Sequence, residues 1–104
     1  MNYSTSLLMS LEIQLADSVL RSYVGEYEFA PDAVLTVTLV DGQLYAQMNA
    51  RPRAQIFAES PIQFFCPAAN VRILFARDRS RLVTGLILQP KHGRASLAHK
   101  RFQA

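Results

Sequence analysis

Apolar and polar residues alternate along most of this chain, in short runs broken by Gly, Pro, Asp and Asn. A period of two marks a half-buried strand. The clearest case flanks Asp41-Gly42. Asp-Gly suits a type I′ hairpin, in which both central residues need positive φ. Counting outward from that turn pairs Val40 with Gln43, Leu39 with Leu44, Val37 with Ala46 and Leu35 with Met48. The strongly apolar pairs then share one face, while Thr38–Tyr45 and Thr36–Gln47 share the other.

The same pattern predicts further strands over Ala54–Glu59, Ile62–Cys66, Val71–Ala76, Leu82–Leu88 and Arg94–Phe102. Arg51-Pro52-Arg53, Ser60-Pro61, Pro67–Asn70, Arg77–Ser80 and Gln89–Gly93 read as the turns between them. Gly85 reads as a bend within its strand. Towards the start, Tyr23, Gly25, Tyr27 and Phe29 fall on one face of a strand, with Val24, Glu26 and Glu28 on the other. Before it, Asp17 suits a helix N-cap, and Ser18–Tyr23 makes one to two turns that Leu20 and Val24 seat on the core. Glu12–Leu15 alternates as a short strand or an extended connection. Eight short strands at even spacing, each joined to the next by a short turn, predict an all-β barrel or sandwich in meander order.

Length and composition narrow this further. A chain of 104 residues suits one domain, read as residues 12–104 behind a leader of residues 1–11. Half the residues are hydrophobic and 18% are charged, a globular balance. One cysteine rules out an internal disulfide. Met1–Leu11 lacks the basic start and long apolar run of a signal peptide, which leaves the compartment open, cytoplasmic by default. No stretch approaches the ~20 apolar residues of a membrane helix, so no membrane partner is expected.

The net charge of +3 hides an asymmetry: residues 1–50 hold one basic against six acidic side chains, residues 51–104 ten against two. No aromatic-basic recognition motif accompanies the arginines, so nucleic acid is not expected as a partner. Arg51, Arg53, Arg72, Arg79, Arg81 and Arg94 read as solubility or as a face for an acidic partner.

Several motifs, in order, carry a family resemblance. They are Leu20-x-x-Tyr23-Val24-Gly25-x-Tyr27, Asp41-Gly42-x-Leu44, Phe64-Phe65, Val71-x-Ile73-x-Phe75-x-Arg77-Asp78, Val83-Thr84-Gly85-Leu86 and a terminal Arg101. Over residues 12–103 the chain resembles the lipocalin-like C-terminal accessory domain of bacterial penicillin-binding-protein and β-lactamase-related serine hydrolases. The resemblance implies a small eight-stranded antiparallel lipocalin-like barrel with one short N-terminal helix and no assigned chemistry. The parent hydrolases use Ser-x-x-Lys, which is absent here, and Tyr45–Asn49 does not supply their second motif. A looser resemblance to lipocalins implies a structural lock, with Arg101 packed over Tyr27 of Gly25-Glu26-Tyr27.

No catalytic set emerges from the residues, so an enzyme is not expected. His92 and His99 alone do not make the three or four ligands of a zinc site, and neither a metal nor another cofactor is expected. Cys66, behind Phe64-Phe65, reads as a buried small hydrophobe. Glu26 and Glu28 read as solvated charge on a polar strand face. Tyr23, Tyr27, Phe29, Leu35, Met48, Ile56, Phe64, Phe75 and Leu97 are expected to point inward, with Tyr23, Tyr27, Phe64 and Phe75 as the candidate ligand contacts. A barrel of this size either fills with side chains or holds one small ligand; short strands favour a mostly filled interior with a shallow apolar mouth. The leading expectation is an accessory domain that packs against a serine-hydrolase catalytic domain or self-associates. The alternative is a stand-alone binder of a small apolar ligand.

Overall fold

The protein, described by a computed structural model over residues 13–102, is a closed antiparallel barrel of eight strands in meander order. The expected leader lies outside the described residues. Among the described residues a single short helix, α1 (Asp17–Ser22), precedes β1 (Gly25–Ala30). The remaining strands are β2 (Ala33–Val40), β3 (Gln43–Met48), β4 (Ala54–Ala58), β5 (Gln63–Cys66), β6 (Val71–Arg77), β7 (Val83–Pro90) and β8 (Ser96–Lys100). This matches a small lipocalin-like barrel.

The β2–β3 register is the expected one at every pair, from Leu35 opposite Met48 to Val40 opposite Gln43. Asp41 and Gly42 both have positive φ, 51° and 75°, as a type I′ turn requires. Elsewhere, turn side chains hold the backbone. Asn49, at φ 51°, accepts from the Val34 amide at 2.9 Å and donates to the Asp32 carbonyl at 3.0 Å, tying the β1–β2 turn to the end of β3. The Asp78 carboxylate accepts from the amides of Ser80 and Leu82 at 2.8 and 3.0 Å. That turn delays β7 until Val83 and leaves Leu82 exposed, where the pattern of apolar residues predicts a strand from Leu82.

The helix differs from expectation in two respects. Ala16 occupies the N-cap position; Asp17 lies in the first turn, where it pairs with Arg21 at 3.1 Å. Leu20 is buried in the core, but Val24 is 37% exposed, because the helix ends at Ser22 and the four-residue spacing no longer holds. Tyr23 is the helical C-cap residue and is fully buried from there, while Tyr27 is buried from β1. Ile13 and Leu15 run extended beside the helix, the Ile13 amide donating to the Ala58 carbonyl at 3.0 Å, and both pack on the core.

Leu97 is not inward. It is 56% exposed, and its neighbour Ala98 is the fully buried residue of β8. The reason is the register across β7–β8: Ala98 stands opposite the fully buried Leu86, which puts Leu97 opposite the half-buried Ile87 on the outer face.

Candidate functional site

The barrel interior is two unlike halves. At the end reached by α1, the helix and the β2–β3, β4–β5 and β6–β7 turns, the inner face carries large side chains. Phe75 stacks on Tyr23 with ring centres 4.0 Å apart and planes at 13°. Phe64 meets both rings edge-on at 5.6 and 5.5 Å, and Tyr27 meets Phe75 edge-on at 5.7 Å. Such pairs contribute roughly 0.5–1.5 kcal/mol each beyond their buried area. The four candidate ligand contacts are thus brought together, as a packed aromatic plug that fills this half. The Tyr27 hydroxyl donates to the Tyr23 carbonyl at 2.8 Å. Burial first, and the neighbouring Tyr23 second, push its ionisation well above the usual tyrosine range. The Tyr23 hydroxyl donates to the Pro61 carbonyl and accepts from Arg77 at 2.6 Å. Around Ile13, Leu15, Leu20 and Leu44 a crevice of only about 30 Å³ remains.

The opposite end, ringed by the β1–β2, β3–β4, β5–β6 and β7–β8 turns, is open. It contains a half-open cavity of about 390 Å³. Its walls are Leu35 from β2, Ala46 and Met48 from β3, Ala54 from β4, Cys66 from β5, Val71 and Ile73 from β6, and Leu88 from β7. Arg51, Pro52, Ala68 and Ala69 line it from the turns. The volume falls within the ~300–1,000 Å³ of small-molecule sites, and the mainly apolar lining with few polar groups is typical of them. Cys66 is buried, as expected, yet it is part of this wall.

The cavity follows from a size step along the inner face. Leu44 and Ala46, Ile56 and Ala54, and Phe64 and Cys66 are each two positions apart, on the same face of their strand. On each strand the large member is at the plugged end and the small member at the open end. That exchange is visible in the sequence once strand direction is assigned, and it was the available signal for the cavity. The four aromatics expected as ligand contacts lie in the plugged half and do not line this cavity.

The lock between first and last strands also differs in detail. Tyr27 stands opposite Lys100, and the Lys100 Nζ lies 5.9 Å from the Tyr27 ring centre and 3.1 Å from the Ser22 carbonyl oxygen. Lys100 Cε fills the space a Cβ on Gly25 would need. Desolvation lowers the ammonium's pKa. Arg101, one residue on, faces the other way and binds Glu26 at 3.2 Å and Glu28 at 2.8 Å, which are therefore paired and not simply solvated. The alternation of side chains along a strand gives the ring to Lys100 and the carboxylates to Arg101. The carboxylate hydrogen bonds to Glu28 and Glu26 raise the Arg101 pKa further.

Among the described residues no cluster of three or more His, Cys, Asp or Glu side chains could hold a metal. His92 and His99 are exposed. No helix of the described residues is long and apolar enough to cross a membrane. No curated protein matches the chain. Residues 12–102 match a family described as a domain of unknown function (DUF3471), which spans every element of the barrel. The chain belongs to that family.

Proposed function

We propose that this barrel binds a small apolar ligand at its open end. The observation that supports this reading is the 390 Å³ cavity, walled by Leu35, Met48, Val71, Ile73 and Leu88 and kept open by Ala46, Ala54 and Cys66. The aromatic plug makes the opposite half a rigid floor. Burial of an apolar ligand here gains roughly 25 cal/mol per Å² of surface removed from water, before the cost of association. The test is titration with N-phenyl-1-naphthylamine, a neutral dye whose emission rises in apolar surroundings. The wild-type chain should bind it saturably. Ala46→Phe, which places a ring in the empty volume, should fold normally and lose binding. Equal dye binding by both proteins would count against the cavity as the site.

A second reading, the accessory domain, has support from a different surface. Leu74, Ile87 and Leu97 are direct cross-strand neighbours on the outer face of β6, β7 and β8. Leu97 is 56% exposed and Leu74 and Ile87 beside it are half-buried, and an outward apolar patch is a feature of protein contacts. The partner in this reading is a serine-hydrolase catalytic domain, or a second copy of the chain. Leu97→Lys should abolish such association and leave dye binding intact.

A further inference from the structure

We propose that the ligand of the open end is an amphiphile with an aliphatic body and a carboxylate head, and that the head pairs with Arg51. This rests on the cavity reading above and adds the charge of the ligand to it. Among the described residues, Arg51 is the one charged residue in the cavity lining. Its amide donates to the carbonyl of Met48 at 3.0 Å, which folds the β3–β4 turn over the rim. Among the described residues, no carboxylate lies within ion-pair distance of its guanidinium. Neighbouring Arg53 is engaged otherwise, its guanidinium 4.6 Å from the Tyr45 ring centre.

The surrounding field has the same sign. The four turns at this end carry Arg51, Arg53, Lys91 and Arg94 against Asp32 alone. Four other carboxylates are already paired: Glu26 and Glu28 with Arg101, Glu59 with Arg72, and Asp17 with Arg21. A cationic rim over low-dielectric walls raises the local concentration of anions at the mouth. A guanidinium presents a planar fork of donors matched to a carboxylate, and its long stem lets it follow the head to the solvent edge. Apolar walls below and one such fork above select a ligand that is greasy along its length and anionic at one end.

The experiment compares three probes of equal chain length by calorimetry: decanoate, 1-decanol and decyltrimethylammonium. Decanoate should bind about tenfold more tightly than decanol, the factor expected for one charge-assisted pair, and the cation most weakly. Arg51→Gln should remove the decanoate advantage and leave decanol unchanged, while Arg51→Lys should keep most of it. Added salt should erode the preference for decanoate and not the binding of decanol. Equal affinities for decanoate and decanol, or an Arg51→Gln protein that still prefers decanoate, would overturn the carboxylate assignment and leave the cavity reading standing. Binding of none of the three probes would overturn both.

Discussion

Lys100 stands directly across the β1–β8 seam from Tyr27, with its ammonium 5.9 Å from the tyrosine ring centre and 3.1 Å from the last carbonyl of the helix. One side chain thus links helix, first strand and last strand at the place where the barrel closes. The ladder there pairs only Tyr27 with Lys100 and Glu28 with His99, extended by the Arg101 amide on the Glu26 carbonyl at 2.8 Å. Lys100→Ala should therefore lower stability by about 1 kcal/mol, and Lys100→Met, which keeps the stem, by less. Arg101→Ala should have a smaller effect that disappears in high salt, because its ion pairs are half exposed. Thermal melts at low and high salt check both.

The aromatic plug predicts a steep mutational gradient. Phe75→Ala should cost about 3–5 kcal/mol, since it removes the ring that touches the other three. Tyr23→Phe should cost about 1–2 kcal/mol, because Arg77 and the Pro61 carbonyl lose the hydroxyl that joins them. Denaturant unfolding of the two variants measures the difference.

Two glycines should respond for different reasons. Gly85→Ala meets the Ala98 backbone across the β7–β8 ladder, and overpacking of this kind costs about 1–3 kcal/mol. Gly42→Ala meets nothing within 4 Å but stays at φ 75°, so its cost is backbone strain of about 1–2 kcal/mol. Exchange of the amides of β8 should accelerate in Gly85→Ala and not in Gly42→Ala.

Stability should fall at both extremes of pH. At the alkaline end, burial raises the Tyr27 ionisation above its usual value. Its contribution is fully present below the ordinary tyrosine value of about 10 and is lost as pH rises above it. Tyrosinate absorbance from Tyr27 should appear only with unfolding, and Tyr27→Phe should flatten the alkaline limb. At the acid end, partial desolvation pushes the Glu59 carboxyl up, but hydrogen bonds from Arg72 and Gln63 and the Arg72 charge outweigh it, and the net shift is downward. Stability from Glu59 is present above the ordinary carboxylate range and lost as pH falls through the lowered value. Glu59→Gln should flatten the acid limb of a pH-stability profile.

The strands were legible in the sequence because each turns one face to the barrel interior and the other outward, so a period of two survives in almost every run. The β2–β3 register was legible in full because a two-residue turn leaves no freedom to slip. The last strand misled because its inner face is set by the register with β7, which turns Ala98 and not the larger Leu97 towards the core. The lock misled by one residue for a related reason: Lys100 and Arg101 are both basic, and only the register opposite Tyr27 decides which faces the ring. The cavity was the hardest to foresee. It is a space defined by Ala46, Ala54 and Cys66, residues unremarkable singly, and large aromatics drew attention to the half they fill.

The central claim is that the open end of the barrel is the binding site. Its most direct test is amide and methyl chemical-shift mapping during titration with 1-decanol. The account predicts saturable shifts at Ala46, Met48, Ala68, Ala69, Ile73 and Leu88, with the plug residues Tyr23 and Phe64 unmoved. Shifts confined to Leu74, Ile87 and Leu97 on the outer face, or no saturable shifts at all, would contradict it.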